Sequence, residues 1–209
     1  MERKASKPFV QEQIEKALTG FQAVLTPASL DDLVEVYRGK LVFRAGVQWP
    51  SIYHLQPLAS THSWRTAENQ KLVAEAVQRL VDLSPLPNIH VRSKSQLIAP
   101  ASFCMHDFNP AMDQMDASHW MRWFHRMECL ARLGVVRSAP ELQQQVDVFV
   151  NMLDANGYFT KNLFHPYFIK WGAYPGLMLE TDWRIPTRRV YDLTFRGQLI
   201  LHYAGGKED

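Results

Sequence analysis

The sequence predicts an all-α fold built from antiparallel helix pairs. Three observations carry that expectation. Apolar residues recur at helical spacing along most of the chain, and start and stop signals bracket those stretches. A chain of 209 residues that is 46% hydrophobic also suits a single helical domain, residues 1–209, with one core.

The elements follow in order. In PFVQEQIEKALTGFQAVL, Phe9, Val10, Ile14, Ala17, Leu18, Phe21 and Leu25 form one stripe, with Pro8 at the first helical position and Ser6 or Lys7 as cap. SLDDLVEVYRGKLVF reads as a second helix. Ser29 caps it, and Asp31 and Asp32 suit the positive end of its dipole. WPSIYHLQPLAS reads as a short helix broken at Pro57. RTAENQKLVAEAVQRLVDLSPLP reads as a helix capped by Thr66 and ended by Pro85 and Pro87. Residues 84–117 are rich in proline and weakly periodic, and read as a long irregular connection, with a strand pair near Ile89–Val91 and Gln96–Ile98 as the alternative. Helices resume with SHWMRWFHRMECLARLG, from a Ser118 cap to Gly134, and with SAPELQQQVDVFVNML, where Ser138, Pro140 and Glu141 make a capping-box start. HPYFIKWGAY reads as a shorter helix cut by Pro175, and PTRRVYDLTFRGQLILHYAGG as the last one, stopped at Gly205–Gly206.

Composition excludes several classes. A net charge of +2 with scattered Lys and Arg gives no strong field for nucleic acid or a membrane surface. No apolar run is long enough for a membrane span, and the N-terminal MERKASKPFVQEQ lacks the apolar stretch of a secretory signal. Two cysteines, Cys104 and Cys129, make no disulfide framework, so a cytoplasmic setting is expected. P-loop, dinucleotide, nucleophile-elbow and His-Glu-x-x-His signatures are missing.

The stretch DANGYF, Asp154 to Phe159, tests three readings. A calcium loop needs glycine sixth and glutamate twelfth, whereas Gly157 is fourth and His165 twelfth when counted from Asp154. A helix-ending turn fits, with Asn156 and Gly157 suited to positive φ. The spacing of Val148–Phe149, Leu153, Gly157 and Phe159 also resembles the helical repeat of the squalene cyclase and protein prenyltransferase superfamily, over roughly residues 118–204. Valine, Leu153 and Phe159 stand where that repeat has an aromatic residue, a glutamine and a tryptophan. The resemblance implies a partial α/α toroid. Too few helices are present for a closed barrel, so it implies an open arc, a truncated relative or half of an oligomer.

Two functions follow as expectations. One is a helical-repeat protein that binds an apolar small molecule or a peptide on a concave aromatic face carrying Trp120, Trp123, Trp171 and Trp183. The alternative, implied by the resemblance, is an enzyme acting on an isoprenoid-like substrate with Glu180 or Asp182 as its acid, though the Asp-x-Asp-Asp motif of such cyclases is missing. No cofactor is expected. Zinc on Cys104, His106 and Asp107 is the alternative, because a thiolate, an imidazole and a carboxylate suit that ion. Nucleic-acid binding through Arg184, Arg188, Arg189 and Arg196 is disfavoured by the small net charge.

Overall fold

A computed structural model describes residues 8–100, 104–163 and 179–206. The chain divides into two compact units, Met1–Asn109 and Pro110–Asp209. The described residues form six α-helices and a four-stranded mixed sheet, so the fold is mixed α/β. The all-α expectation is corrected, and the α/α toroid arrangement with it. The predicted helix HPYFIKWGAY, with Trp171 and Pro175, and the proposed Ser6 or Lys7 cap lie outside the described residues.

In the first unit, α1 (Pro8–Val24) packs against both α2 (Ile52–Ser60) and α3 (Ala67–Asp82). Ile14, Ala17, Phe21 and Val24 fall at helical spacing on α1 and are fully buried, as are Leu55 and Leu58 on α2 and Val73, Val77 and Leu80 on α3. Thr66 caps α3 as expected, its hydroxyl oxygen accepting from the Asn69 N–H at 3.2 Å. Pro57 does not break α2 but sits inside it.

The stretch read as a second helix is a hairpin. After one 3₁₀ turn at Leu30–Asp32, β1 (Val34–Tyr37) pairs antiparallel with β2 (Lys40–Phe43). Tyr37 faces Lys40 across a two-residue loop in which Arg38 (φ 51°) and Gly39 (φ 75°) both take positive φ, the conformation of a type I′ turn. The local reason is plain: VEVY and KLVF are short, rich in β-branched and aromatic residues, and flank a glycine turn. The irregular connection also holds strands. β3 (His90–Ser93) pairs antiparallel with β4 (Gln96–Pro100), and Val42 pairs parallel with His90, which joins the hairpins in the order β1-β2-β3-β4.

The second unit holds α4 (Ala117–Leu133), α5 (Pro140–Asn151) and α6 (Pro186–Ala204). α6 packs against both α4 and α5. Two caps differ from expectation. Asp116, not Ser118, caps α4 by accepting from the His119 N–H at 2.8 Å. Ala139 precedes α5, while the Ser138 hydroxyl donates backward to the Val135 carbonyl at 2.8 Å, so no capping box with Glu141 forms. Gly134 ends α4 at φ 79°, the left-handed conformation expected of it. The turn after α5 is organised by Asp154. Its Oδ1 accepts from the Asn156 and Tyr158 N–H groups, each at 2.9 Å, and Gly157 alone of the expected pair takes positive φ.

Candidate functional site

The concave aromatic face expected on α4 is a filled core. Trp120, Trp123 and Phe124 project from α4 at spacings that put them side by side, and Phe149 of α5 and Phe159 after the turn close over them. Trp123 stacks on Phe149 at 5.3 Å between ring centroids, and Trp120 meets Phe159 at 5.1 Å. All five rings are at most 1% exposed. The Trp123 indole donates to Gln145 Oε1 at 3.0 Å. The Trp183 indole, also buried, donates to Asp192. Trp120, Trp123 and Trp183 are therefore packing residues, and each such ring excludes roughly 150–250 Å² from water. Trp171 lies outside the described residues.

Glu180 and Asp182 sit in the 179–185 segment, which α6 holds in place. Asp192, buried on α6, accepts from the Leu179 and Glu180 N–H groups, each at 2.9 Å, and from the Trp183 indole. Arg189 donates to the Trp183 and Arg184 carbonyls and to Asn162. Asp182 forms a two-pronged ion pair with Arg184, Nε to Oδ1 at 2.9 Å and Nη2 to Oδ2 at 3.0 Å. Those bonds hold the Asp182 carboxyl below the usual carboxylate range and raise the Arg184 guanidinium. A general acid at neutral pH needs the opposite shift. Glu180 pairs with Arg188 at 3.7 Å. The four arginines of the nucleic-acid reading are thus engaged internally, Arg196 with Glu128 at 2.7 Å.

Cys104, His106 and Asp107 do not gather. Cys104 is buried, the His106 carbonyl accepts from the Leu86 N–H, and Asp107 Oδ1 accepts from the Asn109 N–H at 3.0 Å. Among the described residues no three His, Cys, Asp or Glu side chains stand together as a metal-ligand set.

An open cleft of about 1080 Å³ lies in the first unit instead, between α1 and the sheet. Its α1 wall is Glu12, Glu15, Lys16, Thr19 and Gly20, which share one helix face. The opposite wall is Glu35 of β1 with Val91 and Arg92 of β3. Phe43 at the end of β2 and the following loop, residues 44–49, form the base, with Trp49 stacked on Phe43 at 5.7 Å. His54 of α2 completes it.

Two groups in the cleft are unusual. Trp49 is 8% exposed, and its indole Nε1 is buried without a hydrogen-bond partner, a condition that costs on the order of 1–3 kcal/mol when nothing answers the donor. His54 occupies the third position of α2, where a capping box normally has Glu or Gln, and its Nδ1 accepts from the Ser51 N–H at 2.9 Å. That bond fixes the tautomer: the proton sits on Nε2. Burial lowers the His54 pKa, so the neutral ring persists at neutral pH. Gly20 lies beside this ring, with space for a Cβ only at 3.4 Å from Nδ1.

The charged lining is partly paired. Glu12 bonds Lys16 at 2.6 Å, and Glu35 meets Arg92 at 3.6 Å. Arg92 also lies 4.0 Å from the centre of the Tyr37 ring. Sequence reading missed this site. Trp49 and His54 belong to the WPSIYH segment, whose Ser-x-x-His start is the one local signal for it. In comparisons with known proteins, no family model, no curated protein and no solved structure matches this chain.

Proposed function

We propose that the protein binds a small, ring-bearing apolar ligand, and that the cleft of the first unit receives it. The open cleft with the Phe43–Trp49 stack at its base carries this reading. The cleft volume suits a small molecule, and the Phe43–Trp49 stack offers an aromatic platform. This keeps the ligand-binding expectation but moves it from the α4 tryptophans to the α1 cleft. A reducing, cytoplasmic setting goes with it, in keeping with a chain that has only two cysteines. No helix among the described residues is long and apolar enough to cross a membrane.

The test is a titration of the full chain with 2-naphthol, followed by NMR of ¹⁵N-labelled indoles. A Trp49→Phe variant assigns the Trp49 signal. The expected result is movement of the Trp49 cross-peak while those of Trp120, Trp123 and Trp183 stay in place. Movement of the three core indoles instead, or of none of the four, would overturn the reading.

A further inference from the structure

The cleft can be sorted by which hydrogen-bonding groups remain unspent. On the acceptor side little is left. Glu12 and Glu35 are in ion pairs, and Glu15 on the α1 wall accepts from Gln11 at 3.2 Å. The Thr19 hydroxyl donates back to the Glu15 carbonyl at 2.9 Å. On the donor side four groups remain. The Trp49 N–H has no partner. The His54 ring has used Nδ1 as an acceptor, which leaves its other edge as a donor. Arg44 bonds only a neutral group, the Asp31 carbonyl at 3.2 Å, and has no carboxylate opposite it. Lys94, at the β3–β4 turn, lines the same cleft and has no ion pair among the described residues.

We infer that the ligand of this cleft is an anion, a ring-bearing carboxylate or phosphate, whose acidic group is held by Arg44 and Lys94 and whose ring lies against Phe43 and Trp49. The inference rests on the ligand reading above and adds its charge. Among the described residues Arg44 and Lys94, the two lining cations without an ion pair, outnumber Glu15, the one lining carboxylate without one, and an anion accepts from both N–H groups and cations at once. The apolar part keeps the platform from needing a polar partner. A cationic ligand would face the two like charges of Arg44 and Lys94 against the single Glu15 carboxylate.

The experiment compares three probes of one shape on the full chain: naphthalene-2-carboxylate, neutral 2-naphthol and naphthalen-2-ylmethanamine. Each is titrated while the Trp49 indole signal is followed. The carboxylate is expected to bind at least about tenfold more tightly than the amine, with a preference that shrinks as salt rises. In an Arg44→Gln/Lys94→Gln variant that preference should fall to about twofold or less. Equal binding of the three probes, or tighter binding of the amine, would overturn the charge assignment and leave the ligand site standing. Failure of all three to move the Trp49 signal would overturn the ligand site itself.

Discussion

The two units use aromatic residues in opposite ways. In the second, Trp120, Trp123, Phe124, Phe149 and Phe159 interlock with no ring exposed above 1%. In the first, Phe43 and Trp49 stack as a pair at the base of an open cleft, and the indole N–H is left without a partner. In the second unit the Trp123 and Trp183 indoles donate to Gln145 and Asp192, while the buried Trp120 indole has no hydrogen-bond partner, as with Trp49. The same residue type therefore fills space in one unit and lines open space in the other, and what surrounds each ring tells them apart.

The sharpest way to break this contrast is to truncate one ring of the filled core. Trp123→Ala removes a ring that touches Trp120, Phe124 and Phe149, and it removes the donor that Gln145 Oε1 accepts from. The expected loss is about 3–5 kcal/mol of stability, read by urea unfolding. Naphthalene-2-carboxylate affinity per folded molecule should stay unchanged. A stable variant with lost ligand binding would make Trp123 a pocket residue and reverse the assignment of the two units.

A pH series sharpens the contrast next. His125 on α4 is buried, and burial together with the nearby Arg196 charge lowers its pKa to about 4. The unfolded chain takes up this proton near pH 6.5, well before the folded one does. Stability from the neutral ring is thus complete above about pH 6.5 and declines as pH falls toward 4, by about 3 kcal/mol. Urea unfolding at pH 7 and at pH 4.5 measures the drop, and a His125→Gln variant should show a smaller one. Equal drops in the two proteins would remove His125 from the account. His54, in the cleft, shares the direction but is only half-buried, so its part in the drop is smaller.

How much of this was legible in the sequence depends on the range of the contacts involved. Local signals were readable. The apolar stripes of α1 and α3, the Thr66 cap, Pro140 in the first turn of α5 and the glycine stop at Gly134 all act within a few residues of themselves, whereas α5 ends at Asn151, before Gly157. The hairpin at Val34–Phe43 was readable too, from VEVY, KLVF and the Arg38–Gly39 turn. Asp31 and Asp32 at a plausible helix start outweighed it. The sheet as a whole was not readable, because its closure is the pairing of Val42 with His90, which no local pattern encodes. The core and the cleft were confused for a related reason. Trp120 and Trp123 on one helix face look alike whether they line a cavity or fill one, and Phe149 and Phe159, which decide it, come from other elements. Asp192 was overlooked in favour of its neighbours Glu180 and Asp182, since only the folded segment brings three donors to it.

The smallest expected effects come from two helical glycines, one in each unit, and their signs should differ. A Cβ on Gly197 of α6 would fall inside the contact radius of the Phe149 ring, which its neighbours Trp120, Trp123 and Phe159 hold in place. Gly197→Ala must displace that ring and should cost about 1–3 kcal/mol, despite the gain in helix propensity. A Cβ on the buried Gly20 of α1 would meet His54 Nδ1 at 3.4 Å and the Pro50 Cα at 3.7 Å, ordinary contact distances. Gly20→Ala should therefore stabilise by about 0.5–1 kcal/mol, through a smaller entropy loss on folding. Thermal unfolding of both variants against the parent reads the two signs. The Gly20 methyl also enters the proposed ligand site, so its gain in stability should come with weaker binding of naphthalene-2-carboxylate. A destabilised Gly20→Ala would mean that the α1 wall is as tightly filled as the α6 interface, and the contrast between an open and a closed aromatic cluster would fail at its narrowest point.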